Sequence, residues 1–115
     1  ENVIYNGDRE LNNFLKTNLN QYKNEATNKK VYIEAISKYK KIILTKNTTG
    51  KITNYKLIAE VTFLIKSTDR KINIIEERVI NTMNDKFEEA RKEKAIKQSF
   101  ASSISKKLAS ELVIN

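Results

Sequence analysis

The side chains that could do chemistry in this chain are carboxylates, amines, hydroxyls and phenols. With no Cys and no His in 115 residues, zinc sites, thiol nucleophiles and imidazole acid–base catalysis lose their usual donors. An acid and a base could be drawn from Glu76, Glu77, Glu88, Glu89 and Glu93, but their spacing favours a plainer role. Glu76 and Glu77 are consecutive in a strand-like run and so point to opposite faces. Glu88 and Glu89 fall at a helix start, where negative charge favours the dipole. Ser102, Ser103 and Ser105 have no imidazole to activate them, and the only glycines, Gly7 and Gly50, are isolated in turns rather than in a phosphate-cradling loop. No catalytic residue, metal ligand or cofactor is assigned, and a non-enzymatic protein is expected.

The amines form a stronger pattern. Lys and Arg number 22 against 14 acidic residues, a net charge of +8, which fits an anionic partner such as nucleic acid, an anionic lipid head group or a phosphorylated sugar. Of the 22, 18 are Lys, and alongside so many Asn and Ile this also fits compositional drift and plain solubility. The cations gather at strand connections: Lys46, Lys51 and Lys56 around the first, and Lys66, Arg70 and Lys71 around the second. Long cationic side chains on loops meet phosphates as point charges, while lysine at a strand edge also guards against aggregation. The first cluster is expected to be the main ligand site and the second a lesser one, because Gly50 and several hydroxyl and amide side chains accompany the first.

The elements that must position these groups follow from periodicity. After Val3-Ile4-Tyr5, the turn signal Asn6-Gly7-Asp8 predicts a helix from Asp8, with Leu11, Phe14, Leu15, Leu19 and Tyr22 on one stripe and a polar loop at Asn24–Asn28. Three β-rich runs follow near 30–46, 52–66 and 72–83, joined by hairpin-length connections. In the middle run Tyr55, Leu57, Ala59, Val61, Phe63 and Ile65 share a face. In the first, Ser37 and Lys41 interrupt Val31, Ile33, Ala35 and Ile43, so a bulge is expected. Asp85 caps a second helix over 85–112, with Glu88 reaching back as in a capping box, and Ile96, Phe100, Ile104, Leu108 and Leu112 form its apolar ladder.

One domain spanning 1–115 is expected. It is α+β, a two-layer sandwich in the order β-α-β-β-β-α, with two helices on one face of an antiparallel sheet of three or four strands. The core is predicted to join Leu57, Val61, Phe63, Phe14, Leu15, Ile104 and Leu108. The even-numbered face carries Ile36, Leu44, Ile58, Leu64, Ile74 and Ile80, more apolar than a solvated face requires, so a partner interface is expected there, with Ile58 and Leu64 as its markers. No run of about 20 apolar residues spans a membrane. The chain opens at Glu1 without an initiator Met or an apolar leader, so any targeting segment is expected to have been removed or never included.

Thr53-Asn54-Tyr55-Lys56-Leu57-Ile58-Ala59 leads into a long alternating strand, and Thr82-Met83-Asn84-Asp85-Lys86-Phe87, Glu93 and Ile104-Ser105-Lys106-Lys107-Leu108 mark a strand end and a long C-terminal helix. In these segments the chain resembles the LptE family of outer-membrane lipoproteins. Met83 stands where that family has an aromatic residue, and Asn54 where an Arg is frequent. The resemblance implies a scaffold on the periplasmic side of a Gram-negative outer membrane, held by an N-terminal lipid anchor that this chain lacks. It also implies an LptD-like β-barrel partner and contact with lipopolysaccharide during export. The alternative is a double-stranded-RNA-binding module, which shares the helix, three strands and helix. Against it stand the acidic helix start Asp85-Lys86-Phe87-Glu88-Glu89 and the long strands, so no nucleic acid is expected.

Overall fold

The computed structural model describes residues 2–23, 32–66 and 69–113. The Asn6-Gly7-Asp8 signal acts as expected. Strand β1 (Asn2–Gly7) stops there, and Asp8 caps helix α1 (Arg9–Lys23), its Oδ2 accepting the Leu11 N–H at 2.9 Å. Strands β2 (Tyr32–Lys46), β3 (Ile52–Ile65) and β4 (Arg70–Asn81) follow, and α2 (Lys86–Val113) ends the chain. Val31 and the Asn24–Asn28 segment lie outside the described residues, as do the side chains of Tyr22 and Leu112.

The architecture is the expected α+β order, with one correction to the sheet. Its strands run β1-β2-β3-β4, antiparallel except that β1 pairs parallel with β2 from Asn2–Tyr32 to Gly7–Ser37. Helix α1 carries the chain back along the sheet before β2 begins, as a parallel crossover requires. The sheet is therefore mixed.

Register decides which apolar residues reach the helices. Between β2 and β3 odd positions pair with odd ones, as in Ala35–Phe63. Between β3 and β4 odd pairs with even: Phe63 lies opposite Ile72, Val61 opposite Ile74 and Tyr55 opposite Ile80. Ile74 and Ile80 are therefore core residues, 7% and 2% exposed, and not part of the outer face expected for them. A one-residue change of register inverts every side chain of a strand. The outer face of β4 carries Ile75 and Val79 instead, both about half exposed.

The core joins Leu11 and Leu15 of α1 with Leu57, Val61 and Phe63 of β3 and with Ile96, Phe100, Ile104 and Leu108 of α2. Phe14, expected to share the core, is partly buried and packs against its rim. The irregularity expected in β2 lies beyond Ile43, where the register with β3 shifts, and the two polar interruptions themselves are tie points. Ser37 is 1% exposed. Its hydroxyl donates to Asn12 Oδ1 at 2.6 Å and its carbonyl accepts the Asp8 N–H at 3.1 Å. Gly7 packs so closely on it that a Cβ would lie 1.9 Å from the Ser37 oxygen.

A polar seam then fastens α2 to the rest. Lys97 pairs with Asp8 at 3.2 Å and Glu10 at 3.1 Å and stands 4.0 Å over the Tyr39 ring. The Tyr39 hydroxyl donates to Glu93 at 2.7 Å, and Lys41 pairs with the same carboxylate at 2.9 Å while covering the Tyr55 ring. Burial, reinforced by the Glu93 hydrogen bond, pushes the Tyr39 phenol well above its usual range. Burial alone would raise Glu93, but hydrogen bonds from Lys41 and Tyr39 outweigh it and hold the carboxyl below its ordinary value. Beyond this seam the β2–β3 hairpin continues with Lys40–Lys46 exposed on both faces, in a molecule 58 Å long and 23 by 22 Å across.

Candidate ligand site at the first hairpin

The hairpin tip is built by Asn47. Its side-chain oxygen accepts the Thr49 N–H at 3.0 Å, the Thr49 hydroxyl at 2.7 Å and the Lys51 N–H at 2.9 Å, while its backbone N–H donates to the Lys51 carbonyl at 2.7 Å. An Asx-type turn of this kind fixes the loop without apolar packing. Gly50 supplies the left-handed conformation, φ +83°, with open space around it.

The connection from β4 to α2 is fastened to the same end. Thr82 donates its N–H to Thr53 O at 3.0 Å and its hydroxyl to Ile52 O at 3.1 Å. Asp85 caps α2 as expected, accepting the Phe87 N–H at 2.9 Å. Glu89, in place of the expected Glu88, reaches back to accept the Met83 N–H at 2.8 Å, while Glu88 pairs with Arg91 at 3.2 Å. That bond from Met83 is the main reason Glu89 is held below its ordinary pKa.

Between these two pieces lies a cleft of about 360 Å³, lined by Asn47, Lys51, Thr53, Tyr55, Thr82, Asn84 and Lys86 among others. Hydroxyls, amides and two ammonium groups share the lining with Ile52, Tyr55 and Met83, which suits a phosphate or hydroxylated ring that also carries an apolar part. Lys51 has no ion-pair partner among the described residues, and Lys86 has only a 3.5 Å approach to Glu89 with its side chain 70% exposed.

The structure divides the first expected lysine cluster. Lys51 lines the cleft. Lys46 is the exposed last residue of β2, in register with Ile52 and outside the lining. Lys56 points to the outer face of the sheet and pairs with Glu77 at 2.9 Å. Sequence reasoning missed Lys86, which sits beside the acidic helix start. Only the β4–α2 tether brings it to the hairpin.

The second cluster lies at the far end of the sheet. Lys66 pairs with Glu34 at 3.3 Å, and Arg70 meets both the Glu111 carboxylate at 2.6 Å and its carbonyl at 3.1 Å. Lys71 is exposed opposite Leu64. Ile58 and Leu64 do lie on the outer face, half-buried among neighbours that include Lys40 and Glu77 for the first and Glu34 and Lys71 for the second. Asn73 bridges this face, accepting from Thr62 and donating to Glu60.

The remaining carboxylates considered for acid–base chemistry also have structural partners, Glu76 with Lys107 and Glu77 with Lys56. Among the described residues no cluster of Asp and Glu could hold a metal ion, and no helix is long and apolar enough to cross a membrane.

Comparison of the sequence with protein-family models and with curated proteins finds no match. The fold does have solved counterparts. Rare lipoprotein B from Shewanella oneidensis aligns at a TM-score of 0.67 with 13% identity, over 98% of this chain and 94% of that one. An uncharacterized lipoprotein B from Nitrosomonas europaea gives 0.65 with 13% identity, over 94% and 79%. A minor lipoprotein from Acinetobacter baumannii gives 0.59 with 16% identity, over 96% and 93%. The chain therefore shares the fold of these lipoproteins over nearly its whole length.

Proposed function

We propose that the chain is the folded part of a non-catalytic outer-membrane lipoprotein of the LptE type, acting on the periplasmic side. In this reading it partners an LptD-like β-barrel protein and contacts lipopolysaccharide on its way to the cell surface. The observation that carries it is the end-to-end likeness to rare lipoprotein B, which is the LptE lipoprotein, joined to a cationic cleft at the hairpin end. Lipopolysaccharide presents phosphates on a sugar scaffold, and Lys51 and Lys86 among hydroxyl and amide groups offer charge and hydrogen bonds to both parts. The outer face around Ile58 and Leu64 is the surface assigned to the barrel.

Two measurements test this. Lipopolysaccharide titrated into the domain at physiological salt should bind, and K51E/K86E should weaken it by at least about tenfold, whereas charge reversal at Lys66, Arg70 and Lys71 should act only through the screened long-range field. Co-expression with the cognate barrel should give a complex that charged residues at Ile58 and Leu64 disrupt. Tighter binding of double-stranded RNA than of lipopolysaccharide at the same salt would overturn the reading.

A further inference from the structure

Strand β1 covers only part of β2. Its last register pair is Gly7 with Ser37, and from Lys38 to Lys46 the only strand beside β2 among the described residues is β3. This stretch is an edge of the sheet. In an antiparallel pair, residues alternate between turning both backbone groups toward the partner strand and turning both away. Two hydrogen bonds fix the phase here. The Tyr32 carbonyl accepts from Lys66 N–H on the β3 side at 3.0 Å, and the Ser37 carbonyl accepts from Asp8 N–H on the opposite side at 3.1 Å. Odd positions therefore face away from β3. Tyr39, Lys41 and Ile43 present their N–H and C=O groups along the open edge.

Open edges recruit other strands unless something blunts them, and the charge on this one is all of one sign. Lys38, Lys40, Lys41 and Lys46 stand along it with no acidic residue between them. Lys41 is engaged by Glu93, but Lys38 and Lys40, exposed on the outer face, have no ion-pair partner among the described residues. A second copy paired on this edge would bring these lysines together, and like charges directly opposite are destabilising. An acidic strand would be drawn in by the same groups. At the far end Ile42, Ile43 and Leu44 are each more than 40% exposed and offer apolar contact once the charges are matched.

We propose that the β2 edge from Lys38 to Leu44 is a strand-addition site. It takes an extended segment of a partner protein that sets acidic side chains against Lys38 and Lys40 and apolar ones against Ile42 and Ile43. Backbone ladder bonds supply affinity in such additions, and alternate side chains supply selectivity. The site is distinct from the hairpin cleft and does not depend on lipopolysaccharide binding.

The test uses the whole chain, a short capped peptide with two glutamates spaced two residues apart and valine at the remaining positions, and a matched peptide with glutamine for glutamate. Amide hydrogen exchange followed by NMR should slow at Tyr39, Lys41 and Ile43 with the acidic peptide, and much less with the neutral one. I43P removes one outward N–H while sparing the bonds to β3, and it should weaken binding by about tenfold or more. K38Q/K40Q, which removes the two exposed charges without setting a carboxylate opposite Glu60, should abolish the preference for the acidic peptide and decides the matter if the proline variant misfolds. Protection appearing elsewhere, equal binding of both peptides, or no binding at millimolar peptide would show that the lysines merely keep the edge closed.

Discussion

The two ends of the sheet carry similar numbers of cations and use them differently. At the β3–β4 turn, Lys66 and Arg70 are spent on Glu34 and Glu111. At the β2–β3 turn, Lys46 and Lys51 have no ion pair among the described residues, and a cleft of mixed polar and apolar lining opens beside Lys51. Burial follows the same gradient, from Phe63 and Leu108 at no more than 1% exposed to Ile43 at 46%. The lesson is that a cation near a turn says little by itself. Whether a second element brings it a carboxylate decides if it holds the fold or is left for a ligand.

The largest expected difference between the ends is in packing. F63A should destabilise the domain by about 3–5 kcal/mol, as truncation of a buried aromatic does, while I43A at the projecting hairpin should cost under about 0.5 kcal/mol. Denaturant titrations of both variants give the contrast directly. Similar losses would mean the hairpin is as integral to the core as the covered half.

Next come the glycines, one in each region. Both have positive φ, +101° at Gly7 and +83° at Gly50. Only Gly7 also faces backbone at an impossible distance for a Cβ. G50A should therefore cost the conformational term alone, about 1–2 kcal/mol, and G7A distinctly more, since the Ser37 backbone would have to move. Equal midpoints for the two variants would show that the β1–α1 junction relaxes freely.

Much of this contrast was legible in the sequence and some was not. The elements, both helix caps and the odd-numbered core face of β3 follow from local spacing, because turn chemistry and side-chain alternation act within a few residues. The assignment of Ile74 and Ile80 failed because the face of β4 depends on its register with β3, which periodicity within one strand does not contain. Ser37 looked like a defect in β2, since Asn12 and Asp8 reach it only through the fold. The same limit hid the site: Lys46, Lys51 and Lys56 are close in sequence, yet alternation sends Lys56 to the other face and the Thr82 tether brings in Lys86.

A smaller contrast concerns the cations themselves. R70A loses a charge-assisted contact to a carboxylate and a carbonyl at a partly exposed site, so a loss of up to about 1 kcal/mol is expected. K51A should leave stability unchanged in the same titration while weakening lipopolysaccharide binding. A destabilised K51A variant would place Lys51 among the structural cations and remove the difference between the ends.

The smallest effect expected is a pH dependence centred on the seam between the ends. Glu93 is held below its ordinary pKa in the folded chain, so its stabilising contribution is present above about 4.5 and is lost as pH falls through its folded value. Glu89, beneath the cleft, acts in the same direction because Met83 N–H favours its charged form. At the alkaline end the sign reverses. Tyr39 is raised from an ordinary value of 10.0 by burial and Glu93, and Lys41 is raised from 10.5 as its bond to Glu93 outweighs burial. The unfolded chain therefore releases these protons first, and stability declines as pH rises above about 10. E93Q should flatten both limbs, because it removes the carboxylate and the partner that raises Lys41. E89Q should flatten chiefly the acid limb, since Glu89 is a lesser contributor to the raised Lys41. Y39F should leave the acid limb partly in place, since Lys41 still holds Glu93, and should soften the alkaline one. Urea midpoints measured across pH for the three variants separate these outcomes. An alkaline limb unchanged in E93Q would mean that the seam does not couple α2 to β2 in solution.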